Sequence, residues 1–296
     1  PETIQNDGPN GIYSYPLGQY ANTDKAGGDP CAVDANDPNL AYKFGTMANE
    51  TVIAQTFNKD LANEYGKICG NYSLWSNLTI FWGCGTNLHR SPYNARNHEY
   101  YSEDAVLTSG QAVAFISGGK EYGVIIAPKH LAFNDTEINR LGVSVFMTEQ
   151  QARENELRGT QAAIEDAGAL GVMTAFNRVG ITATNAHTGL LKNILRGEWG
   201  FKGLESQDFI MNPNYAVLKE YALNGGTMTT FTGENTMAAV SEKFAYWTTE
   251  NVGQDIELMS AIKQAMTWQA YALANSNALD GMASSTRLVS VRTWYD

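Results

Sequence analysis

Apolar runs of strand length alternate along the chain with longer stretches whose apolar residues recur at helical spacing. The strand-like runs are 78–82, bounded by Gly83 and Gly85, then 122–127, 171–176, 203–209 and 227–231. Between and around them the pattern predicts helices over about 39–70, in two pieces, and near 104–117, 148–167, 188–197, 214–223 and 254–275. Thr148 and Gln151 open the 148–167 helix as a capping box, each side chain satisfying a free backbone N–H of the first turn. The last helix carries Ile256, Met259, Ile262, Met266, Ala270 and Leu273 at helical spacing. Residues 1–38 are rich in Gly, Asp, Asn and Pro and lack any period, so they read as loop around Asp7-Gly8-Pro9-Asn10-Gly11.

Five strand candidates separated by helices, with no linker between them, predict a parallel α/β architecture. A (β/α)8 TIM-type barrel is preferred to a doubly wound sheet, because no G-x-G-x-x-G phosphate turn follows any strand. On this reading residues 1–275 form one barrel domain, and 276–296 are a tail that wraps the barrel or leads out of it. Barrel chemistry sits at the C-terminal ends of the strands. Polar residues gather there: His89 and Arg90 after the first candidate, Lys129 and His130 after the second, Asn177 and Arg178 after the third, and Asp208 at the end of the fourth.

Composition narrows the partner. Of 296 residues only 17% are charged, and 31 acids against 20 bases leave a net charge of −11. That is the wrong sign for nucleic acid or an anionic membrane surface, and a neutral ligand such as a carbohydrate fits better. The longest apolar runs, such as 124–127, fall far short of the roughly 20 residues that span a bilayer. Cys31, Cys69 and Cys84 show no C-x-x-C spacing, and the four histidines show neither H-x-x-x-H nor H-E-x-x-H, so no metal and no cofactor are expected. A G-x-S-x-G nucleophile elbow is absent too.

Asp208 is the sharpest candidate. Strand side chains alternate, so Leu204, Ser206 and Asp208 share one face while Glu205 and Gln207 share the other. An inward Asp at a strand's C-terminal end would lie in the barrel mouth, where an ionised carboxylate attacks an electrophilic carbon or stabilises a cation. The competing role is a cap for the 214–223 helix. Glu205 points away, which argues against an acid/base pair with Asp208. Lys129 and His130 are adjacent donors able to bracket neighbouring hydroxyls of one sugar. In the polar stretch 95–104, Ser102 and Asp104 read as helix caps, leaving Arg96 free to be a ligand.

Taken in order, Asp7-Gly8-Pro9-Asn10-Gly11, Asn87-Leu88-His89-Arg90-Ser91-Pro92, Arg96 through Asp104, Lys129-His130, Val172 through Asn177, Leu195 through Gly203, and Asp208 resemble the catalytic barrel domain of glycoside hydrolase family 3. The resemblance spans most of residues 7–230 and implies a retaining β-glucosidase-like enzyme acting on β-linked oligosaccharides or glycosides. It implies Asp208 as the nucleophile, with Asp7, Arg96, Lys129, His130, Met173 and Phe176 around the sugar it attacks. Arg90 would support them from behind. The chain departs from the family at Phe176, where Tyr is usual, at Phe209, where Trp follows the nucleophile, at Leu131, where Phe follows Lys-His, and at Glu205, an apolar strand position. The loop 131–137 lacks the histidines of the N-acetylglucosaminidase branch, which favours the β-glucosidase-like branch. That branch takes its acid/base Glu from an α/β sandwich domain, so the resemblance implies a partner domain or second fragment outside residues 1–296. The stretch 274–281 resembles the barrel end of members in which the sandwich precedes the barrel, placing the first strand and helix upstream of Pro1. The alternative, motivated by Phe176, Phe209 and Glu205, is a carbohydrate-binding or sensing protein that kept the barrel and lost turnover.

Overall fold

The computed structural model describes residues 4–9, 47–75, 78–210, 217–230 and 247–278. In chain order its strands are β1 (Ile4–Asp7), β2 (Leu78–Gly85), β3 (Ile125–Leu131), β4 (Ser144–Val145), β5 (Gly171–Thr174), β6 (Arg178–Val179), β7 (Thr182–Ala183) and β8 (Leu204–Gln207). β1, β2, β3, β5 and β8 pair in that order, all parallel, as one curled sheet. A short β4-β6-β7 sheet stands beside it. The architecture is the expected α/β one, a parallel half-barrel over the described residues.

Alternation sorts the strand residues into two layers. Phe81, Ile126 and Val172 face outward into the helices, Phe81 and Ile126 meeting Phe115 and Cys69 in one core cluster and Val172 meeting Leu191, Leu195 and Tyr221 in another. Ile80, Trp82, Ile125, Ala127, Met173 and Leu204 face inward and pack on one another and on Ala272 of the helix Ile256–Ala274. Asn277 donates its backbone N–H to Gly123 and its side chain to the Leu78 carbonyl, so the chain after that helix passes under the start of β2 and β3. The outer helices Lys59–Trp75 and Ala105–Lys120 touch backbone to backbone, since a Cβ on Gly66 would lie 2.0 Å from the Phe115 oxygen.

Several elements differ from the sequence reading. Ile4–Asp7 is an edge strand rather than loop: a short polar strand shows no hydrophobic period, yet Gln5, Asn6 and Asp7 register with Ile80, Phe81 and Trp82. The second strand begins later than expected, at Ile125, and runs on through Lys129-His130 to Leu131. The fifth candidate, 227–230, contributes a single bridge from Met228 to Ser206, with backbone hydrogen bonds continuing to Thr230; Phe231 lies outside the described residues. The 148–167 helix is interrupted by a π turn at Ala152–Glu156, the next helix is π-wound over Gly189–Glu198, and the last is two helices, Thr249–Gln254 and Ile256–Ala274. The first helical stretch comprises Glu50–Ala54 and Lys59–Trp75. Positions 39–46, Cys31, Asn10, Gly11 and the tail from 279 lie outside the described residues.

Glu205 faces outward and is wholly buried near Arg196 and Tyr221. Burial pushes its carboxyl up to about 7, against a partial pull downward from Tyr221 and Arg196. A folded pKa above the unfolded one means that the stabilising contribution is full below about pH 4.5 and is lost as pH rises through about 7. The shift corresponds to about 3 kcal/mol. Glu205→Gln is therefore expected to flatten stability against pH by roughly that amount, read as urea-unfolding free energies at pH 5 and pH 8. An unchanged slope would show that the buried carboxyl does not titrate as stated.

Candidate active site

The C-terminal ends of the strands carry a chain of alternating charges. Lys129 is buried on β3, where its ammonium donates to Asp7 Oδ1 at the end of β1 and lies 3.8 Å from Glu99 Oε2. Arg96 donates to Glu99 Oε2 at 2.5 Å and lies 3.5 Å from Glu137 Oε1. Glu137 in turn meets Arg140 at 2.8 Å, and the Arg140 guanidinium lies 4.4 Å over the Phe176 ring. Burial would raise the Glu99 carboxyl, but the Arg96 hydrogen bond and the charges of Lys129 and Arg96 outweigh it and hold it below the usual range.

Local structure explains why these side chains converge. Gly85 bridges to Tyr100, and a Cβ there would lie 2.0 Å from the Glu99 oxygen, so only glycine lets the 96–100 segment lie against β2. The Gly85 amide donates to the buried carboxyl of Glu50 at 2.8 and 3.0 Å. Asp104 caps the helix Ala105–Lys120 by accepting from Leu107 at 2.6 Å, as expected, whereas Ser102, also expected as a cap, accepts from the Asp104 amide in the turn before the helix.

Asp208 directly follows β8 with its side chain 6% exposed. Its Oδ2 lies 3.6 Å from His130 Nε2, and its Oδ1 accepts from the Phe209 amide at 2.8 Å. Burial raises the Asp208 carboxyl to about 6, with Lys129, Arg140, Arg96 and the Phe209 amide pulling the other way. Above that pH it is a desolvated carboxylate with one oxygen free of strong donors among the described residues, a group able to attack carbon. His130 is held by Asn87 on both sides of its backbone, and its Nδ1 lies 3.2 Å from the Tyr100 hydroxyl. Burial and the cations Arg96, Lys129 and Arg140 keep the ring neutral. The helix beyond Asp208 starts at Leu218 with Val217 at its cap, so Asp208 does not serve as its cap.

Asp7 and Lys129 are thus in contact, His130 faces Asp208, and Arg96 joins them through Glu99. Met173, in register with Lys129 and Ser206, forms part of the inner wall. Phe176 packs edge-on against Phe209 at 5.4 Å, and both line a small cavity beside Asp208 with Asn185 and Gln207. Arg90 pairs with Asp135 and Glu156, away from these groups, and His89 contacts the Tyr100 carbonyl. Asn177 serves the backbone at Ala132. Sequence reasoning missed Arg140, Glu137, Tyr100 and Asn134. A signal was present in Asn134-x-x-Glu137-x-x-Arg140, polar residues at regular spacing on the loop after a strand end.

Comparison with known proteins gives a concordant result. The family described as "Glycosyl hydrolase family 3 N terminal domain" matches residues 39–238. The chain is 36% identical over 176 residues to a beta-glucosidase of Ruminococcus albus and 35% identical over 159 residues to the probable beta-glucosidase J of Emericella nidulans, covering 60% and 54% of this chain. It spans 19% of the length of each of these relatives. The solved structure of beta-glucosidase 3B from Thermotoga neapolitana in complex with glucose superposes with a TM-score of 0.79 at 26% identity, over 95% of this chain and 36% of that one. Among the described residues no helix is long and apolar enough to cross a membrane.

Proposed function

The chain belongs to glycosyl hydrolase family 3, and from that premise we propose that it forms the barrel of a retaining β-glycosidase of the β-glucosidase type, with Asp208 as nucleophile. The observation that carries this reading is the buried Asp208 carboxylate beside a neutral imidazole, in a mouth ringed by paired charges. An Asp208 oxygen attacks C1 of a terminal β-linked sugar, the glycosidic bond breaks with its electron pair leaving on the aglycone oxygen, and a covalent glycosyl ester forms. Water then displaces Asp208, and two inversions give net retention. Lys129, His130, Asp7 and Arg96 bind the sugar hydroxyls, with Met173 and Phe176 as the apolar wall. The Thermotoga neapolitana relative was solved in complex with glucose, which supports a hexose as the ligand class.

Retention needs a second carboxyl to protonate the leaving oxygen. Asp7, Glu99 and Glu137 are committed to Lys129, Arg96 and Arg140, which suits them to orienting cations rather than donating protons. We assign the acid/base to a Glu on an α/β sandwich domain or second fragment outside this chain, with the barrel over residues 1–275 and a tail over 276–296. Without general acid help the leaving group must depart unprotonated, a loss of about 10²–10⁴ in rate. The chain alone is expected to cleave activated nitrophenyl β-glucosides slowly and cellobiose barely at all, measured by product release with and without the sandwich domain. Efficient cellobiose turnover by the chain alone would refute the assignment.

A second reading, a sugar-binding protein without turnover, is favoured by Phe176 and Phe209, whose edge-on packing places no hydroxyl beside Asp208. Asp208→Asn separates the two: an enzyme loses turnover, whereas a binder keeps its affinity and has none to lose.

A further inference from the structure

His130 and Asp208 face each other across 3.6 Å, and the ring nitrogen that carries the proton decides what the imidazole offers there. The Tyr100 side chain is wholly buried, and its hydroxyl lies 2.7 Å from Asn134 Nδ2 and 3.2 Å from His130 Nδ1. Asn134 Nδ2 also donates to Glu137 Oε1 at 3.0 Å. A carboxylate only accepts, so the Asn134 atom shared by Glu137 and Tyr100 is the amide nitrogen, and it donates to both. The phenol oxygen is then already an acceptor, and of its two hydrogen-bond partners among the described residues only His130 Nδ1 can take its proton. Nδ1 therefore accepts, and a neutral ring carries its proton on Nε2.

We propose that Tyr100, held by Asn134 and Glu137, is a positioning residue that locks His130 in the Nε2–H form, so that the imidazole presents a hydrogen-bond donor beside Asp208. The inference rests on the reading of Asp208 and His130 as a sugar site and extends it to three residues outside that set. At 3.6 Å the Nε2–H group is not spent on Asp208. It is free for a ligand oxygen placed between the two, and a sugar hydroxyl there accepts from His130 while donating to the carboxylate. The opposite tautomer would set a lone pair beside a carboxylate, leaving two acceptors to compete for one hydroxyl proton. The charged groups around the ring are Arg96, Lys129, Arg140 and Asp208, and the three cations favour neutrality, so the lock acts on the tautomer rather than the charge.

Nitrogen-15 NMR of the histidine-labelled chain reads the tautomer without any glycoside turnover, with His130 assigned through His130→Gln. The wild-type ring is expected as Nε2–H alone across neutral pH. Tyr100→Phe removes the donor to Nδ1, and the preference for Nε2–H should fall at least about tenfold, the worth of one buried hydrogen bond. Asn134→Asp supplies an acceptor for the phenol proton and should move His130 to the Nδ1–H form. A wild-type ring protonated on Nδ1 overturns the proposal, as does a folded Tyr100→Phe that keeps Nε2–H alone; if Tyr100→Phe does not fold, the Asn134→Asp spectrum decides, and an unchanged tautomer there overturns it. Calorimetry with glucose adds a separate arm. Tyr100→Phe should weaken glucose about tenfold with the melting curve retained, and unchanged affinity would sink the role in binding. Failure of the wild-type chain to bind glucose would count against the glycosidase reading and leave the tautomer result to decide the lock.

Discussion

Replacing Asp208 by Asn is expected to lower glycoside turnover by on the order of 10⁴–10⁶ while leaving the fold intact, the scale found when a catalytic nucleophile is removed. The amide has the shape of the carboxylate, and its oxygen can still accept from the Phe209 amide while its NH2 takes the place of the oxygen that faces His130. What it lacks is the charge that forms a bond to carbon. Because burial already raises the Asp208 carboxyl to about 6, removing the charge should also relieve a desolvation cost, so the variant should melt higher than the wild type at pH 8 and nearly alike at pH 4. Turnover is to be measured with the acid/base-bearing domain present, on an activated aryl glucoside. A 2-fluoro-glycosyl inactivator should label the peptide containing Asp208 in the wild type and nothing in the variant. Labelling at another carboxylate, or turnover within tenfold of wild type, would remove Asp208 from the mechanism.

The largest expected effect on stability lies at Arg196. From the π-wound helix its guanidinium donates to the carbonyls of Phe201, Gly203 and Gly225 at 2.7 to 3.1 Å and stacks 3.8 Å over Trp268. One planar fork thereby ties the turn entering β8, the turn after the helix Leu218–Leu223 and the helix Ile256–Ala274. Arg196→Met keeps the apolar stem and strands three carbonyls, each hydrogen bond to a charged donor being worth about 1.5–3 kcal/mol. A loss of about 4 kcal/mol is expected from urea unfolding, a large share of the total for an ordinary domain. Arg196→Lys should recover less than half, since an ammonium cannot reach three carbonyls from one plane. A loss under about 1 kcal/mol for Arg196→Met would show that solvent satisfies these carbonyls. Since Arg196 secures the entry to β8, the variant should lose glucose affinity along with stability.

The barrel-type sheet was legible because β2, β5 and the first half of β3 are largely apolar on both faces, as buried parallel strands are. Asp208 was legible because alternation from Leu204 carries it to the inner face. The strand expected to end at residue 127 continues past Pro128, a residue type that ordinarily stops a strand. Here it falls at a register shift between the pairs Trp82–Ala127 and Gly85–Lys129, where the ladder asks for no N–H, so the strand continues and carries Lys129 and His130 with it. β1 escaped notice because a four-residue polar edge is defined by its neighbour and not by its own pattern. Tyr100, and the pairing of Glu137 with Arg96, were out of reach for a related reason: these contacts join residues far apart along the chain, brought close by contacts such as Gly85 against Tyr100. The π turns left no mark in the apolar spacing.

The alternating charges around the mouth have a bearing on what the site can tolerate. Lys129, Arg96 and Arg140 are matched by Asp7, Glu99 and Glu137, and Asp208 adds one more carboxylate. On the proposed reading, a neutral sugar settling there would displace no counterions, so its affinity is expected to follow the placement of its hydroxyls and to change little with ionic strength. A uronic acid or sugar phosphate is expected to meet Lys129, Arg96 and Arg140 already paired with carboxylates, and the Asp208 carboxylate opposite. On the proposed reading of the mouth as a sugar site, the rim is expected to disfavour charged sugars.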